Sequence, residues 1–235
     1  MMATNALNLG EVELPGIPVA AFNLPVTDGL EGMFFFTDGL NVAKTNFAPG
    51  KPDGVIVGAP VASDGYVTFS AATGHLQTQV PETANMTVVS IVRRQASGNT
   101  PFVGNYGPSG GVGVGLYTTD DNRIYATAGR DGAGPIQVFA LGAVSTWALV
   151  VARINASGNS RIQNLTAATT ASSATGNRVV STNGPMKVGR FNEAVFAAAN
   201  QSMATLFFSR VLTDGELTAI QTWAKDFAAA YGVVV

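Results

Sequence analysis

The chain has no cysteine, a single histidine and a charged fraction of only 12% over 235 residues, against about 25% in an ordinary globular domain. Each shortage removes a class of chemistry. Without cysteine there is neither a disulfide nor a thiolate metal ligand. One imidazole, His75, cannot build a histidine zinc cluster, and no Gly-x-Ser-x-Gly turn accompanies it to make a hydrolase triad. Lysine is confined to Lys44, Lys51, Lys187 and Lys225, and the net charge is −2. No basic stripe is therefore present to neutralise phosphates, and nucleic acid is not an expected partner.

Long apolar runs are missing as well. None approaches the ~20 residues that span a bilayer, so no membrane partner is expected. The first residues, MMATNALNLGEVELPG, have neither a basic start nor the apolar stretch of a secretory signal. The expectation is a soluble protein made in the cytoplasm without a cleaved export signal.

What is present is apolar residues, at 46%, enough for a sizeable core. With so few charges the surface must be covered by Thr, Ser, Asn, Gln and Gly. Such a surface does little to repel a neighbour and suits life inside an assembly. It equally suits an ordinary Thr/Asn-rich β-protein, and composition does not separate the two.

The clearest local pattern is near the end, MATLFFSRVL-TDGELTAIQTWAKDFAAAY from Met203 to Tyr231. Thr213 and Glu216 have the spacing of a capping box, and Leu212 and Leu217 that of a hydrophobic staple. Leu217, Ile220, Ala224, Phe227 and Tyr231 then share one helical face, and Gly232 is placed to end the helix. A helix is predicted over 214–231. In the strand before it, Leu206 and Phe208 point one way and Phe207 the other. One face is expected in a core and the other under the helix.

Upstream, short alternating segments separated by turn clusters run from Gly32 onward, the pattern of a β-sandwich. Strands are predicted at 33–36, 54–57, 65–69, 75–80, 86–93, 111–117, 123–127, 136–140, 147–154, 161–165, 185–190 and 204–211, with Pro101-Phe102-Val103-Gly104 leading into the glycine-rich one. The Thr/Ser/Ala/Asn-rich stretch 166–184 reads as a long surface loop with one weak strand at Arg178-Val179-Val180. Residues 1–26, broken by Pro15, Pro18 and Pro25, read as an extended N-terminal arm preceding a single domain at 27–235. Its Leu14, Ile17, Val19, Phe22 and Leu24 need burial. That burial is either against the chain's own domain or, as a docking arm, against a neighbouring subunit.

The closing segment LFFSRVLTDGELTAIQTW resembles the end of concanavalin A-like lectin/glucanase domains, in particular the laminin G-like branch. Asp64-Gly65-Tyr66-Val67-Thr68-Phe69 with His75-Leu76-Gln77-Thr78 is similar to that family's early strand pair. Met86-Thr87-Val88-Val89-Ser90-Ile91-Val92-Arg93 is similar to its long central strand, and Thr146-Trp147-Ala148-Leu149-Val150-Val151 to the strand that begins at a tryptophan. The resemblance covers about Asp28 to Trp223. It implies an all-β fold, an antiparallel two-sheet jelly-roll sandwich with one C-terminal α-helix. A domain of this kind behind a short arm resembles bacteriophage virion proteins. That resemblance implies a non-enzymatic structural or surface protein of the virion, a capsid decoration or a tail or fibre component, held by its arm to assembly partners. The alternative is a carbohydrate-binding, lectin-like module that recognises a cell-surface glycan.

Chemistry is sparse. The Glu-x-Asp-x-Glu triplet of the superfamily's glycoside hydrolases, which sets alternate carboxylates on one strand face, does not occur, so no catalytic residue is assigned and no enzyme is expected. Glu82, Asp131 and Glu193 stand in turn-like surroundings. Asp120, Asp121 and Asn122 offer oxygens of the kind calcium takes, but calcium needs six to eight and these residues also favour a hairpin turn. No other cofactor is implied. Gly111, Gly113 and Gly115 leave one bare strand face on which another backbone, a neighbour's side chains or a sugar ring could lie. For a glycan, Tyr106, Tyr117 and Tyr125 are the candidate aromatic platform, with Asn105 and Asn122 beside them. Each tyrosine fits a half-buried strand position better than an exposed platform. His75 is expected on a solvated face with Gln77 and Gln79, opposite Leu76, Thr78 and Val80.

Overall fold

The structure, a computed structural model, describes residues 21, 23–107, 112–121, 123–131, 136–142 and 144–235. Two antiparallel sheets face each other, as the strand pattern predicts. The first has eight strands, in the order β13 (Thr169–Ala174), β12 (Asn159–Asn164), β11 (Ala148–Ile154), β6 (Met86–Arg94), β15 (Asn200–Phe208), β4 (Tyr66–Phe69) and β3 (Val61–Ser63). Its eighth strand, β1 (Leu30–Phe35), pairs with the second half of β15. The second sheet has seven strands, in the order β10 (Ile136–Leu141), β9 (Arg123–Ala128), β8 (Gly115–Thr118), β7 (Thr100–Gly104), β14 (Lys187–Val188), β5 (Gly74–Gln77) and β2 (Val55–Gly58). A short helix, α1 (Gly39–Lys44), follows β1, and α2 (Asp214–Ala229) closes the chain.

Alternation along the strands builds two cores. Phe34, Val67, Phe69, Val88, Val92, Leu116, Ile124, Val138, Val150, Ile162 and Phe207 meet between the sheets. On the eight-stranded sheet, the residues that alternate with these point outward. Met33, Phe35, Val89, Ile91, Leu149, Val151, Leu206 and Phe208 there form a second layer with Leu217, Ile220, Trp223, Ala224 and Phe227 of α2. The split of Phe207 from Leu206 and Phe208 is the one expected. Each such side chain contributes about 1.5–3 kcal/mol on burial, so α2 is a structural half of the domain.

Its ends are chemically defined. The Thr213 hydroxyl accepts from the Glu216 amide at 3.2 Å, and the Glu216 carboxylate accepts from the Thr213 amide at 2.8 Å. Arg210 grips the same carboxylate at 2.5 and 3.0 Å. That grip, with the Thr213 amide, holds the Glu216 carboxyl down at about 2. At the other end Val233 donates to Ala228 O and Gly232 to Ala229 O, both at 3.0 Å, around a Gly232 at φ +71°. This is a Schellman stop, and the last residues of the predicted 214–231 span belong to it.

Three expectations need correction. The similarity to an early strand pair fails as a pairing, because β4 and β5 lie in opposite sheets, joined through a tight Ser70–Gly74 link. In the stretch read as a loop, the strand is Thr169–Ala174 rather than 178–180, where only an isolated bridge joins Arg178 to Arg130. β13 is an edge strand held by backbone pairing to β12, so it needs no apolar signature. The glycine-rich strand begins only at Gly115, since Gly113 at φ +106° turns the chain beside Tyr106.

The arm candidates Leu14, Ile17, Val19 and Phe22 lie outside the described residues. Leu24 is described, and it is buried in this chain's own second core with Ala21 and Val26. Trp223 Nε1 donates to Ala21 O at 3.2 Å. This end of the arm therefore packs in cis, on α2.

Candidate functional site

With α2 covering the eight-stranded sheet, the outer face of the seven-stranded sheet remains. Its centre is closed by the chain itself. The segment between β14 and β15 lays Phe191 and Phe196 over β7 and β8, against Tyr117, Tyr125 and Tyr106. A Cβ on Gly115 would stand 3.1 Å from the Phe191 ring, and one on Gly104 would stand 2.8 Å from it. At Gly115 the bare face is therefore filled by Phe191, Gly113 turns beside Tyr106, and Gly111 lies outside the described residues.

The tyrosine platform is corrected by the same observation. Tyr117 and Tyr125 stack on one another with centroids 5.0 Å apart and planes 7° from parallel. Both are buried. Tyr117 Oη accepts from Gln137 Nε2 at 2.5 Å, and burial pushes its hydroxyl up to about 12. Tyr125 donates to Asp121. These rings offer no open face and serve the packing of β8, β9 and β10. Tyr106 is half-buried, edge-on to Phe191 and Phe196. Asn122 lies outside the described residues.

The acids of the β8–β9 hairpin are committed locally. Asp120 accepts from Arg94 Nη1 at 2.9 Å and from the Gly98 amide at 2.8 Å. Asp121 accepts from Thr119 and Tyr125 and lies 3.7 Å from Arg123. The two carboxylates thus fasten the turn to its neighbours, and among the described residues no group of three or more acids or histidines stands ready for a metal ion. His75 is on the outer face as expected, but it is not solvated. It is 5% exposed, and burial, with Lys187 and Arg190 nearby, lowers its pKa to about 4.

The polar groups that do converge are at the rim of this sheet, where the chain leaves β5, β7 and the segment before β14. Glu82 and Arg178 form an ion pair with each side chain 1% exposed. Asn105 is fully buried beside them. Its Nδ2 donates to Glu82 Oε2 at 2.8 Å and to Gly184 O at 3.1 Å, while its Oδ1 accepts from the Val114 amide at 2.9 Å. Arg178 also donates to Gly129 O at 2.9 Å. Asn192 Nδ2 reaches Asn105 O at 3.0 Å and Asn183 O at 3.1 Å. The network ties five separate loops into one rigid base, since a buried charge is tolerated only when so partnered.

Above this base lies a depression of about 380 Å³, lined by Gln79, Pro81, Glu82, Ser181, Thr182, Gly184 and Pro185. Its shape comes from a β-bulge. Thr78 donates to Met186 O at 3.0 Å and Met186 donates to Val80 O at 2.9 Å, so three residues face one. Gln79 absorbs the excess at φ +61°, a left-handed backbone that costs a non-glycine residue about 1 kcal/mol or more. Bulges of this kind re-aim side chains, and here the Gln79 side chain borders the depression.

Neither a protein-family model nor a curated protein sequence matches this chain. Solved structures do. The receptor-binding domain of a botulinum neurotoxin C/D mosaic serotype superposes with a TM-score of 0.64 at 10% identity, over 85% of this chain and 52% of that one. The binding domain of botulinum neurotoxin DC, in complex with SialylT, gives 0.62 at 9% identity, over 84% and 52%. Trypanosoma rangeli sialidase in complex with sialic acid gives 0.58 at 16% identity, over 84% and 33%. The chain thus spans between a third and about half the length of these proteins. What it shares with them is the fold, an all-β sandwich of jelly-roll type.

The rim is the part of the site that sequence reasoning missed. Glu82 reads there as a turn acid and Arg178 as part of a weak strand. One signal was available. In a chain so short of charge, an arginine inside a Thr/Ser/Asn-rich stretch needs a partner.

Proposed function

We propose that this chain is a lectin-like module of the concanavalin A-like type that binds a cell-surface glycan without catalysing its turnover. The observation that carries the reading is the rim: amide and hydroxyl groups of Gln79, Ser181 and Thr182 around an open depression, over a base locked by Glu82, Arg178 and Asn105. Saccharide recognition needs hydrogen-bonding groups held in fixed directions. The fold supports it too, because solved proteins of the same sandwich include receptor-binding domains and a complex with SialylT. A glycan array probed with the full chain tests the reading. Hits are expected that persist without divalent cations, and a blank array across bacterial and animal surface glycans would refute it. A sialidase also shares the sandwich, so release of free sugar from any bound glycan would move the chain to the enzymes.

A second reading, a virion structural protein with protein neighbours, is favoured by one observation. The edge strand β10 alternates cleanly and leaves Phe139 42% and Leu141 61% exposed, a surface suited to an assembly contact. In that reading residues 1–26 form the anchoring arm and 27–235 the displayed domain. Mass spectrometry of purified virus particles from the source, with the chain absent, would exclude it.

A further inference from the structure

Resting on the lectin-like reading, we infer that the rim depression is the binding site and that its ligand is a neutral, hydroxyl-rich saccharide rather than an acidic one. Two observations point there.

The first is the charge of the lining. Among the described residues that line the depression, Glu82 alone is ionisable, and its carboxylate is sealed by its own partners. Its side chain is 1% exposed, one oxygen held by Arg178 and the other by Asn105. What a ligand meets is the Gln79 carboxamide, the Ser181 and Thr182 hydroxyls, backbone groups of Gly184, and the apolar rings of Pro81 and Pro185. Amides and hydroxyls both donate and accept, as sugar hydroxyls do. Proline rings give an apolar surface for the C–H face of a pyranose. A carboxylate or phosphate on the ligand would find no cation in this lining to offset its loss of hydration.

The second is Gln79. A glycine at this position would accept φ +61° at no steric cost, yet the chain carries a side chain there and bears the strain. Strain kept at a concave polar site is a reason to look for function. Gln79 is assigned as a ligand-contacting residue, and the bulge opposite Met186 as the device that aims it.

The experiment uses the full chain and saturation-transfer NMR with lactose, maltotriose, chitotriose and the sialylated form of lactose. The expected result is contact with at least one neutral sugar. Gln79→Gly and Thr182→Val should each weaken that binding at least tenfold, while the urea midpoint of Gln79→Gly stays equal to or above that of the parent. A midpoint that rises as binding is lost is an outcome that a purely structural Gln79 would not give. Binding of sialylated lactose alone would overturn this inference and leave the lectin-like reading standing. Neutral-sugar binding unchanged in both variants would place the site elsewhere and overturn it too. Silence across all four sugars, together with a blank array, would overturn both readings.

Discussion

Glu82 and Arg178, 96 residues apart in sequence, meet as an ion pair with each side chain 1% exposed. The pair is a specificity device more than a source of stability, because desolvating two charges offsets most of their attraction. Removing one partner is different, since it strands the other charge. Glu82→Ala should cost about 3–5 kcal/mol in urea unfolding, while Glu82→Gln with Arg178→Met should cost clearly less than the sum of the single changes. Additive losses would mean that the two residues do not act as a pair.

His75 sets an acid limit. Its pKa is about 4 in the folded chain, against 6.5 for an ordinary histidine, because the imidazole is buried and Lys187 and Arg190 stand near it. The unfolded chain therefore takes up a proton between pH 6.5 and 4 that the folded chain does not. Stability is full above pH 6.5, falls as the pH drops toward 4, and levels below that, by up to about 3 kcal/mol from this group. His75→Gln should flatten the stability profile over this window relative to the parent. Parallel profiles for parent and variant would show that His75 is free to protonate in the folded chain.

How much of this was legible follows from where the information resides. The α2 latch was readable because its signals are local. Thr213 and Glu216 are three apart, Leu212 and Leu217 five apart, and the alternation of Leu206, Phe207 and Phe208 is a property of three consecutive residues. The rim was not readable because each of its relationships spans the chain. Gln79 becomes strained only because Met186, 107 residues on by number, pairs with both Thr78 and Val80. The cover over the tyrosines was hidden for a similar reason. Nothing near Tyr117 or Tyr125 in sequence announces that Phe191 and Phe196 will cover them. β13 shows the converse case, in which a polar Thr/Ser run becomes a strand through backbone pairing to β12, with only Ala171 packed on the core.

The Phe191 cover is itself testable. Phe191 is 1% exposed and sits over Gly104 and Gly115. Phe191→Ala should cost about 3–5 kcal/mol, as for other buried aromatic truncations. It should also bring the Tyr117 hydroxyl down from about 12 toward its ordinary range, since burial is the main cause of the rise. Tyrosinate absorbance followed through an alkaline titration reads this directly. An unchanged titration with the ring removed would mean that another part of the fold seals Tyr117.

The last relationship concerns the end of the arm. Ala21, Leu24 and Val26 are buried with Trp223, Ala224 and Phe227, and Trp223, 7% exposed, donates its indole N–H to Ala21 O. Removing residues 1–26 would then uncover one side of α2. The expected result is a lower urea midpoint and a red shift of tryptophan emission, with Leu24→Ala alone costing about 2–4 kcal/mol. Removing residues 1–20 instead leaves these contacts in place and should leave the emission unchanged. The two truncations separate two roles for the arm. If both behave like the full chain, the packing of Leu24 on α2 contributes nothing to the domain, and its burial belongs to a partner.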